Sequence, residues 1–363
     1  MNKKLDYVDA LRGIAILGVL LVHTKGQFGS FGIFDKVAGL GAKGVQLFYF
    51  ISAFTLFLSY NNRKNDENFP GSNFFIRRFF RIAPLYYFAI IYYTVKLLLF
   101  DGVIVSFKEI LFNFTFTHGF SPIFINHLVP GGWSIAVEMS FYIMVPFLMS
   151  KINNINKAVV FLLISLFIRF IFAEYFKLNP VDSNVKINND YLYWYLPNQL
   201  PCFAIGILFY FILEDVKLEI KNTMVIGLLV LLGSILCIVD QLFIGLNFFS
   251  WDFLFSLGFF VLAIGLSNNK IPFLVNKFSI VCGKYSYSMY IIHFIVLFWI
   301  DELGINFYFI HNSTIFHFVV YYLIVIAITT LLSMITYKVI EVPTQLLGKK
   351  IINKREGRFL LVK

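Results

Sequence analysis

The stretch Leu11–Gly26 reads LRGIAILGVLLVHTKG and has one arginine and one histidine at opposite ends of an apolar run. The ten residues between Arg12 and His23 are all Gly, Ala, Val, Leu or Ile. Such a run predicts a membrane-spanning helix, in which ionisable side chains are costly and mark a pathway or a site. Arg12 and His23 are separated by close to three helical turns. We therefore expect them on one side of the helix, about 16 Å apart along its axis.

The composition of the whole chain is that of a polytopic membrane protein. Of its 363 residues, 59% are hydrophobic and 14% are charged, and they include 46 Phe and 20 Tyr. The net charge of +10 would also fit a nucleic-acid-binding protein. However, most Lys and Arg residues lie in short loops between apolar runs rather than on a solvated basic face. We therefore expect the lipid bilayer as a partner and no nucleic acid.

The hydropathy pattern predicts an all-α integral membrane protein with about ten transmembrane helices, since about 20 apolar residues are needed for each crossing. The segment Phe107–Thr117 is too short for a span and is predicted to be interfacial or re-entrant. The N-terminus resembles a secretory signal, but its acidic residues and the lack of a small-x-small cleavage site favour a retained first span. The ten predicted spans are residues 8–24, 44–60, 82–100, 132–150, 157–175, 193–213, 223–244, 251–267, 284–301 and 316–338.

The distribution of basic residues predicts the orientation of the chain. With the N-terminus inside, the cytoplasmic segments collect 21 of the 30 Lys and Arg residues. The positive-inside rule therefore predicts that both termini are cytoplasmic. Arg12 would lie at the cytoplasmic end of the first helix and His23 nearer the outer face. We expect residues 1–345 to form one transmembrane domain, followed by a basic cytoplasmic tail, 346–363.

A second group of basic residues, Arg77, Arg78 and Arg81, occurs in FFIRRFFRIAP just before the third predicted span. One interpretation is an anchor that sets orientation. The other is a phosphate clamp, because guanidinium groups bind phosphate oxygens bidentately. Coenzyme A has phosphates at one end and a long neutral arm, so it could contact Arg12, this cluster and His23 together.

Three further side chains are candidates for chemistry inside the membrane. A neutral His23 imidazole beside a hydroxyl substrate could act as general base, although a lone histidine on an apolar helix is more often a packing residue. Glu138 lies at a predicted depth similar to that of His23 and needs a partner, either His23 or a neighbouring helix. His293 is either a second polar site or, with a slight preference, a packing contact. Cys202, Cys237 and Cys282 show no paired spacing, so we expect neither a disulfide nor a metal site.

Six segments resemble, in order, the motifs of membrane acyltransferase family 3, whose multi-span enzymes acylate surface polysaccharides and other extracytoplasmic acceptors. They extend from Tyr7 to Pro343 and read YVDALRGIAILGVLLVH, GVQLFYFISAFTLFLS, FFIRRFFRIAPLYY, WSIAVEMSFYIMVP, SYSMYIIH and IEVP. Family members often have Asp where this chain has Gln46, and Ser-Gly where it has Ser52-Ala53. The resemblance implies that Arg12 and His23 are essential, and that the further motif positions are Asp9, Ser52, Arg78, Arg81, Trp133, Glu138 and His293.

The resemblance implies an O-acyltransferase of the bacterial inner membrane. Its donor would be cytoplasmic acetyl-CoA or another short acyl-CoA. Its acceptor would be a hydroxyl of an extracytoplasmic or lipid-linked glycan, such as O-antigen, capsule or exopolysaccharide. We expect no appended extracellular domain and therefore no two-domain acyl relay. The alternative is a polytopic transporter or flippase for lipid-linked saccharides, which inverted repeats would support. A glycan polymerase is disfavoured, because the external connection 101–131 is modest.

Overall fold

The computed structural model describes residues 5–215, 220–245, 248–268, 271–311 and 314–357, and no strand occurs within those ranges. Their α-helices, numbered along the chain, are α1 Asp6–Lys25, α2 Ile33–Gly39, α3 Gly44–Asn61, α4 Pro70–Phe100, α5 Phe107–Phe114, α6 Gly132–Lys151, α7 Ile155–Leu178, α8 Val185–Trp194, α9 Leu196–Asp215, α10 Ile220–Val239, α11 Trp251–Asn268, α12 Lys277–Lys284, α13 Ser286–Glu302, α14 Ile305–His311, α15 Ile315–Thr336 and α16 Val342–Arg355.

Each of the ten predicted spans overlaps described helices, but 193–213 extends over the junction of α8 and α9, and 284–301 over that of α12 and α13. Within the described part of the chain, seven helical stretches are long and apolar enough to cross a membrane. α12 and α13 meet that criterion only together and are bent by 80° at their junction. Ile226–Leu242 and Trp251–Ser267 are shorter apolar helices. The predicted class, an all-helical multi-pass membrane protein, is therefore confirmed, whereas the count of ten spans and the side of the termini stay predictions.

The chain divides into two compact units. The first contains Met1–Phe48 and Leu262–Pro343, and the second contains Tyr49–Val261 and Thr344–Lys363. In the first unit, α1 packs against α12 with almost no clearance. A Cβ added at Gly13 would lie 2.0 Å from the Ser279 carbonyl oxygen, and one at Gly283 would lie 1.7 Å from that of Asp9. Glycine therefore allows the two helix backbones to touch.

α15 contacts the C-terminal half of α1, and the residues just after it, through tyrosine hydroxyls. The Tyr322 hydroxyl donates to the Leu17 carbonyl at 2.7 Å, and the Tyr321 hydroxyl donates to Gln27 Oε1 at 2.6 Å. α15 continues into a π-helical turn that ends at Glu341, whose buried carboxylate accepts a hydrogen bond from Ser288 of α13. Buried polar groups in an apolar unit need such partners, so these contacts fix α15 against α1 and α13.

Aromatic side chains form the core of the second unit. The Phe203 ring of α9 stacks on Phe141 of α6, with ring centroids 4.0 Å apart, and on Tyr49 of α3 at 4.5 Å. Gly206 brings the backbone of α9 against α3, because a Cβ there would lie 2.2 Å from the Phe50 carbonyl oxygen. α3, α6 and α9 are therefore packed closely around stacked rings.

The segment between α4 and α6 folds back onto both helices. The Tyr86 hydroxyl lies 2.9 Å from Asn113 Oδ1 and 3.0 Å from His118 Nε2, which is also 3.1 Å from the Gly132 carbonyl oxygen. All three side chains are buried, and burial lowers the pKa of His118. α5 has eight residues, as expected of a segment too short to span.

α16 packs against the beginning of α4. A Cβ at Gly348 would lie 3.0 Å from the Phe80 side chain. The Glu356 carboxylate accepts hydrogen bonds from the backbone N–H groups of Asn68 and Phe69, at 2.9 and 3.1 Å, and from the Asn73 amide at 2.6 Å. It therefore connects the end of α16 to the residues just before α4 and to the Asn73 side chain, and the bond from the Asn68 N–H lowers the pKa of Glu356.

Candidate active site

Arg12 and His23 lie on one uninterrupted helix, α1. At 1.5 Å and 100° per residue, the eleven-residue separation is about 16 Å along the axis and only about 20° around it. The predicted arrangement on one helix side therefore follows from the observed helix. Arg12 is partly buried, with 19% of its side-chain surface exposed, and its Nη1 donates to Asp9 Oδ1 at 3.3 Å. Asp9, a predicted motif position, thus orients the guanidinium.

His23 retains an exposed surface, whereas His293 on α13 is completely buried. Their ring centroids are 5.3 Å apart, and the Phe294 ring packs against both, at 4.5 Å from His23 and 4.1 Å from His293. The structure therefore brings together two of the sequence-predicted residues. His23 is the one that a ligand can contact directly.

Glu138 is held by two hydroxyl groups of the second unit. Its Oε1 accepts hydrogen bonds from Ser52 Oγ at 2.7 Å and from the Tyr142 hydroxyl at 2.5 Å. The pairing of Ser52 with Glu138 joins two predicted motif positions, on α3 and α6. The predicted pairing of Glu138 with His23 stays a prediction, and the bonds to Ser52 and Tyr142 are of the kind expected from the structural alternative.

The three arginines of the predicted clamp have different surroundings. Arg77 makes two hydrogen bonds to the Glu67 carboxylate, at 2.7 and 3.2 Å, so its guanidinium is already engaged by a carboxylate. The Arg78 guanidinium lies over the rings of Phe74 and Tyr142, at 5.6 and 5.8 Å from their centroids. Arg81 acts on Tyr142 electrostatically, as Arg78 also does. Positive charge is therefore concentrated beside the Glu138–Tyr142 pair.

A cavity of about 190 Å³ opens next to this pair. Arg78, Ser140, Tyr142 and two threonines, Thr115 and Thr117, are its polar lining residues, and phenylalanine, methionine and isoleucine side chains complete the lining. At its edge Phe79 and Ile143 are exposed, at 42% and 70%. Arg78 thus borders a space that can admit part of a ligand.

Trp133 lies in the first turn of α6, in an aromatic group. Its ring is 6.4 Å from Tyr49 and 6.1 Å from Trp194, on which it stacks, and only 8% of the residue is exposed. These contacts are those of a packing residue. A direct role of Trp133 toward a ligand stays a prediction.

Two polar features of the second unit were not predicted. Tyr142 could have been found, because it is four residues after Glu138 and therefore lies on the same helix face. Arg169 is buried in α7, where its Nε donates to Asn198 Oδ1 at 3.0 Å and its Nη1 to the Phe248 carbonyl at 2.9 Å. Its signal was a single arginine inside an otherwise apolar predicted span.

A helical structure with several candidate membrane spans among its described residues is what the resemblance to membrane acyltransferases predicted. The chain belongs to acyltransferase family 3, because the family model described as an acyltransferase domain matches residues 5–338. The resemblance predicted from the sequence motifs is therefore confirmed.

Curated relatives carry acetyltransferase names. O-acetyltransferase OatA of Staphylococcus aureus (strain NCTC 8325 / PS 47) is 24% identical over 392 aligned residues, covering 97% of this chain and 59% of that protein. The putative O-acetyltransferases SACOL0978 of strain COL and SAR0937 of strain MRSA252 are each 26% identical and cover 97% and 98% of this chain. The chain spans about three fifths of the length of these relatives. No solved structure matches the chain.

Proposed function

We propose that this protein is an integral membrane O-acyltransferase that transfers an acetyl or other short acyl group from cytoplasmic acyl-CoA to a hydroxyl of an extracytoplasmic or lipid-linked glycan. The family and the O-acetyltransferase names of the relatives support the reaction class. The observation that carries the proposal is the uninterrupted α1, with Arg12 and the exposed His23 on one side and about 16 Å apart.

We propose that the acyl-CoA phosphates bind to Arg12 and to the cluster Arg77, Arg78 and Arg81. The Arg12 side chain is partly exposed, and Arg78 borders a cavity, so both can contact a ligand. Arg77 would have to share its guanidinium with Glu67. The thioester end of the donor would then reach His23, since the neutral pantetheine arm is on the order of the Arg12–His23 distance.

His23 has two possible chemical roles. As general base, it takes the proton of the acceptor hydroxyl while that oxygen attacks the thioester carbonyl, and the proton then passes to the departing CoA thiolate. As nucleophile, it takes the acyl group from CoA and passes it to the acceptor hydroxyl in a second step. Glu138 remains a predicted charge partner for His23.

The acceptor, compartment and topology belong to the same proposal. We place the protein in a bacterial inner membrane with ten spans, both termini in the cytoplasm and a glycan acceptor approaching from the outer side. O-antigen, capsule and exopolysaccharide are the candidate acceptors. The excess of basic residues in the predicted cytoplasmic segments supports this orientation.

Acyl transfer from labelled acetyl-CoA in membranes containing the protein tests the proposal. We expect His23→Ala to lower transfer by roughly 100-fold or more, because general acid–base catalysis typically contributes at least that factor. His311→Ala is the control, since His311 is an exposed histidine on α14 in the same unit.

Transfer at the wild-type rate by correctly inserted His23→Ala protein would contradict the catalytic assignment. Movement of a lipid-linked saccharide without consumption of acetyl-CoA would favour the transporter instead. Comparison of surface glycans with and without the protein by mass spectrometry would identify the acyl group and its acceptor.

A further inference from the structure

His293 is a buried polar side chain beside His23, and the proposed mechanism does not use it. Its Nδ1 lies 2.7 Å from the Tyr290 carbonyl oxygen and 3.2 Å from that of Met289. A carbonyl oxygen only accepts hydrogen bonds, so Nδ1 carries the proton and Nε2 has a lone pair. The helix turn itself therefore selects the tautomer of His293.

The Nε2 atom of His293 is available as an acceptor. It is buried, and it has no hydrogen-bond partner within the part of the chain that the structure describes. An unsatisfied polar atom is costly in an apolar environment, where no bulk water can replace the missing donor. An imidazole held this way is an unusual choice for packing alone, because an aliphatic or aromatic residue would fill the space without that cost.

The distance to His23 fits a hydrogen bond between the two rings. An N–H···N bond of about 3 Å, with each nitrogen about 1 Å from its own ring centre, gives centroids roughly 5 Å apart. The observed centroid separation is 5.3 Å, with the ring planes inclined at 38°. Rotation of the exposed His23 ring can therefore bring an N–H of His23 to Nε2 of His293 without moving either helix.

We propose that His293 is the positioning residue of His23. When His23 takes a proton from the acceptor hydroxyl, its imidazolium carries two N–H groups and needs a second acceptor. His293 Nε2 accepts a hydrogen bond from one of them while its own Nδ1–H remains bonded to the Tyr290 carbonyl. No proton leaves His293, and the proton on His23 passes to the CoA thiolate. This role rests on the proposed function of His23 as general base.

The matched substitutions are His293→Gln and His293→Met. The Gln and Met side chains have similar length, but only Gln has an oxygen that can accept a hydrogen bond. Under the proposal, His293→Met lowers kcat for acyl transfer on the order of 10- to 100-fold, as the loss of an orienting partner does at other sites. The KM for acetyl-CoA changes less than twofold, because His293 does not touch the donor. His293→Gln recovers a substantial part of kcat, since its Oε1 can accept in place of Nε2. Ile292→Val, at a buried neighbour on α13, is the control for disturbance of the helix interior.

Transfer is normalised to folded protein by gel filtration in detergent, so that unequal folding does not enter the comparison. Equal losses of kcat in His293→Gln and His293→Met, or wild-type kcat in His293→Met, would overturn the positioning role. His23→Ala is measured in parallel and separates the two hypotheses. Wild-type transfer by His23→Ala would remove the proposed function. Loss of transfer in His23→Ala, together with wild-type kcat in His293→Met, would remove only the role of His293.

Discussion

Arg12 shows how a charged side chain at the end of an apolar helix can be oriented and still be partly accessible. Its guanidinium donates a hydrogen bond to Asp9, one turn earlier on α1, while part of the side chain stays exposed. Such a partly exposed pair contributes little to stability, since water screens it. The role of the pair is therefore to orient Arg12, because the bond to Asp9 limits the directions in which the guanidinium can point.

We predict that Arg12→Ala raises the KM for acetyl-CoA by about 10-fold or more, because a hydrogen bond to a charged group contributes roughly 1.5–3 kcal/mol. Arg12→Lys should give an intermediate KM, since lysine keeps the charge and loses the planar fork. Steady-state transfer assays with acetyl-CoA and with acetyl-3′-dephospho-CoA measure this. An unchanged KM for both donors in Arg12→Ala would contradict phosphate binding.

Glu138 shows what a sequence can and cannot predict about a single side chain. Its need for a partner follows from a carboxylate in an apolar helix, and Tyr142 is a neighbour at four residues. Ser52 is 86 residues away in sequence, and its contact depends on how α3 packs against α6. Local patterns contain no information on that packing, so only the structure could join the two motif positions.

At the scale of elements, the contact between α1 and α12 fixes the end of α1 that carries Arg12. Gly13 is adjacent to Arg12, and Gly283 meets the backbone of Asp9. Without such glycines the helices would separate by the thickness of a side chain. The functional end of α1 is thus positioned by backbone contact rather than by interdigitating side chains.

We predict that Gly13→Ala lowers the free energy of unfolding by about 1–3 kcal/mol, as overpacking does at tight sites. Gly265→Ala is the matched control, because a Cβ there would meet nothing within 4 Å and alanine favours the helical backbone. Thermal unfolding in detergent compares the two. A Gly13→Ala protein as stable as the Gly265→Ala protein would contradict the close crossing.

The helices that the hydropathy pattern predicted well are those with long apolar runs, such as α7 and α15. Those it did not predict are short or polar, namely α2, α8 and α16. The bend of 80° between α12 and α13 also has no hydropathy signal, because both sides of it are apolar. Hydropathy measures affinity for lipid, whereas these features depend on hydrogen bonds between elements.

At the scale of the whole molecule, the orientation of the chain in the membrane can be tested with introduced cysteines, because its natural cysteines are buried. Cys202, Cys237 and Cys282 are all completely buried. A thiol reagent should therefore label the unmodified protein weakly, and an introduced cysteine on an exposed residue should dominate the signal.

We predict that Ser183→Cys is labelled by a membrane-impermeant maleimide in intact cells, whereas Lys64→Cys is labelled only after the membrane is opened. Both positions are exposed and lie between helices. The basic residues around Lys64 predict, by the positive-inside rule, that this loop is cytoplasmic. The reverse labelling pattern would invert the topology. Three predicted spans separate the two positions. Labelling of both from the same side would mean that an even number of crossings lies between them.

The backbone contact between α1 and α12 also bears on which donors the protein can use. The glycine contacts leave α1 little room to shift against α12. The interval from Arg12 to His23 is constant because both lie on one uninterrupted helix, so under the proposed function a donor has to match it with its own covalent length. Two thioesters with the same nucleotide and pantetheine arm would place their carbonyl at the same distance from Arg12 along α1, whatever acyl group they carry. Selection among acyl groups would then fall to the space beyond His23, and donors with a shortened arm would be rejected even if their acyl group were the right one.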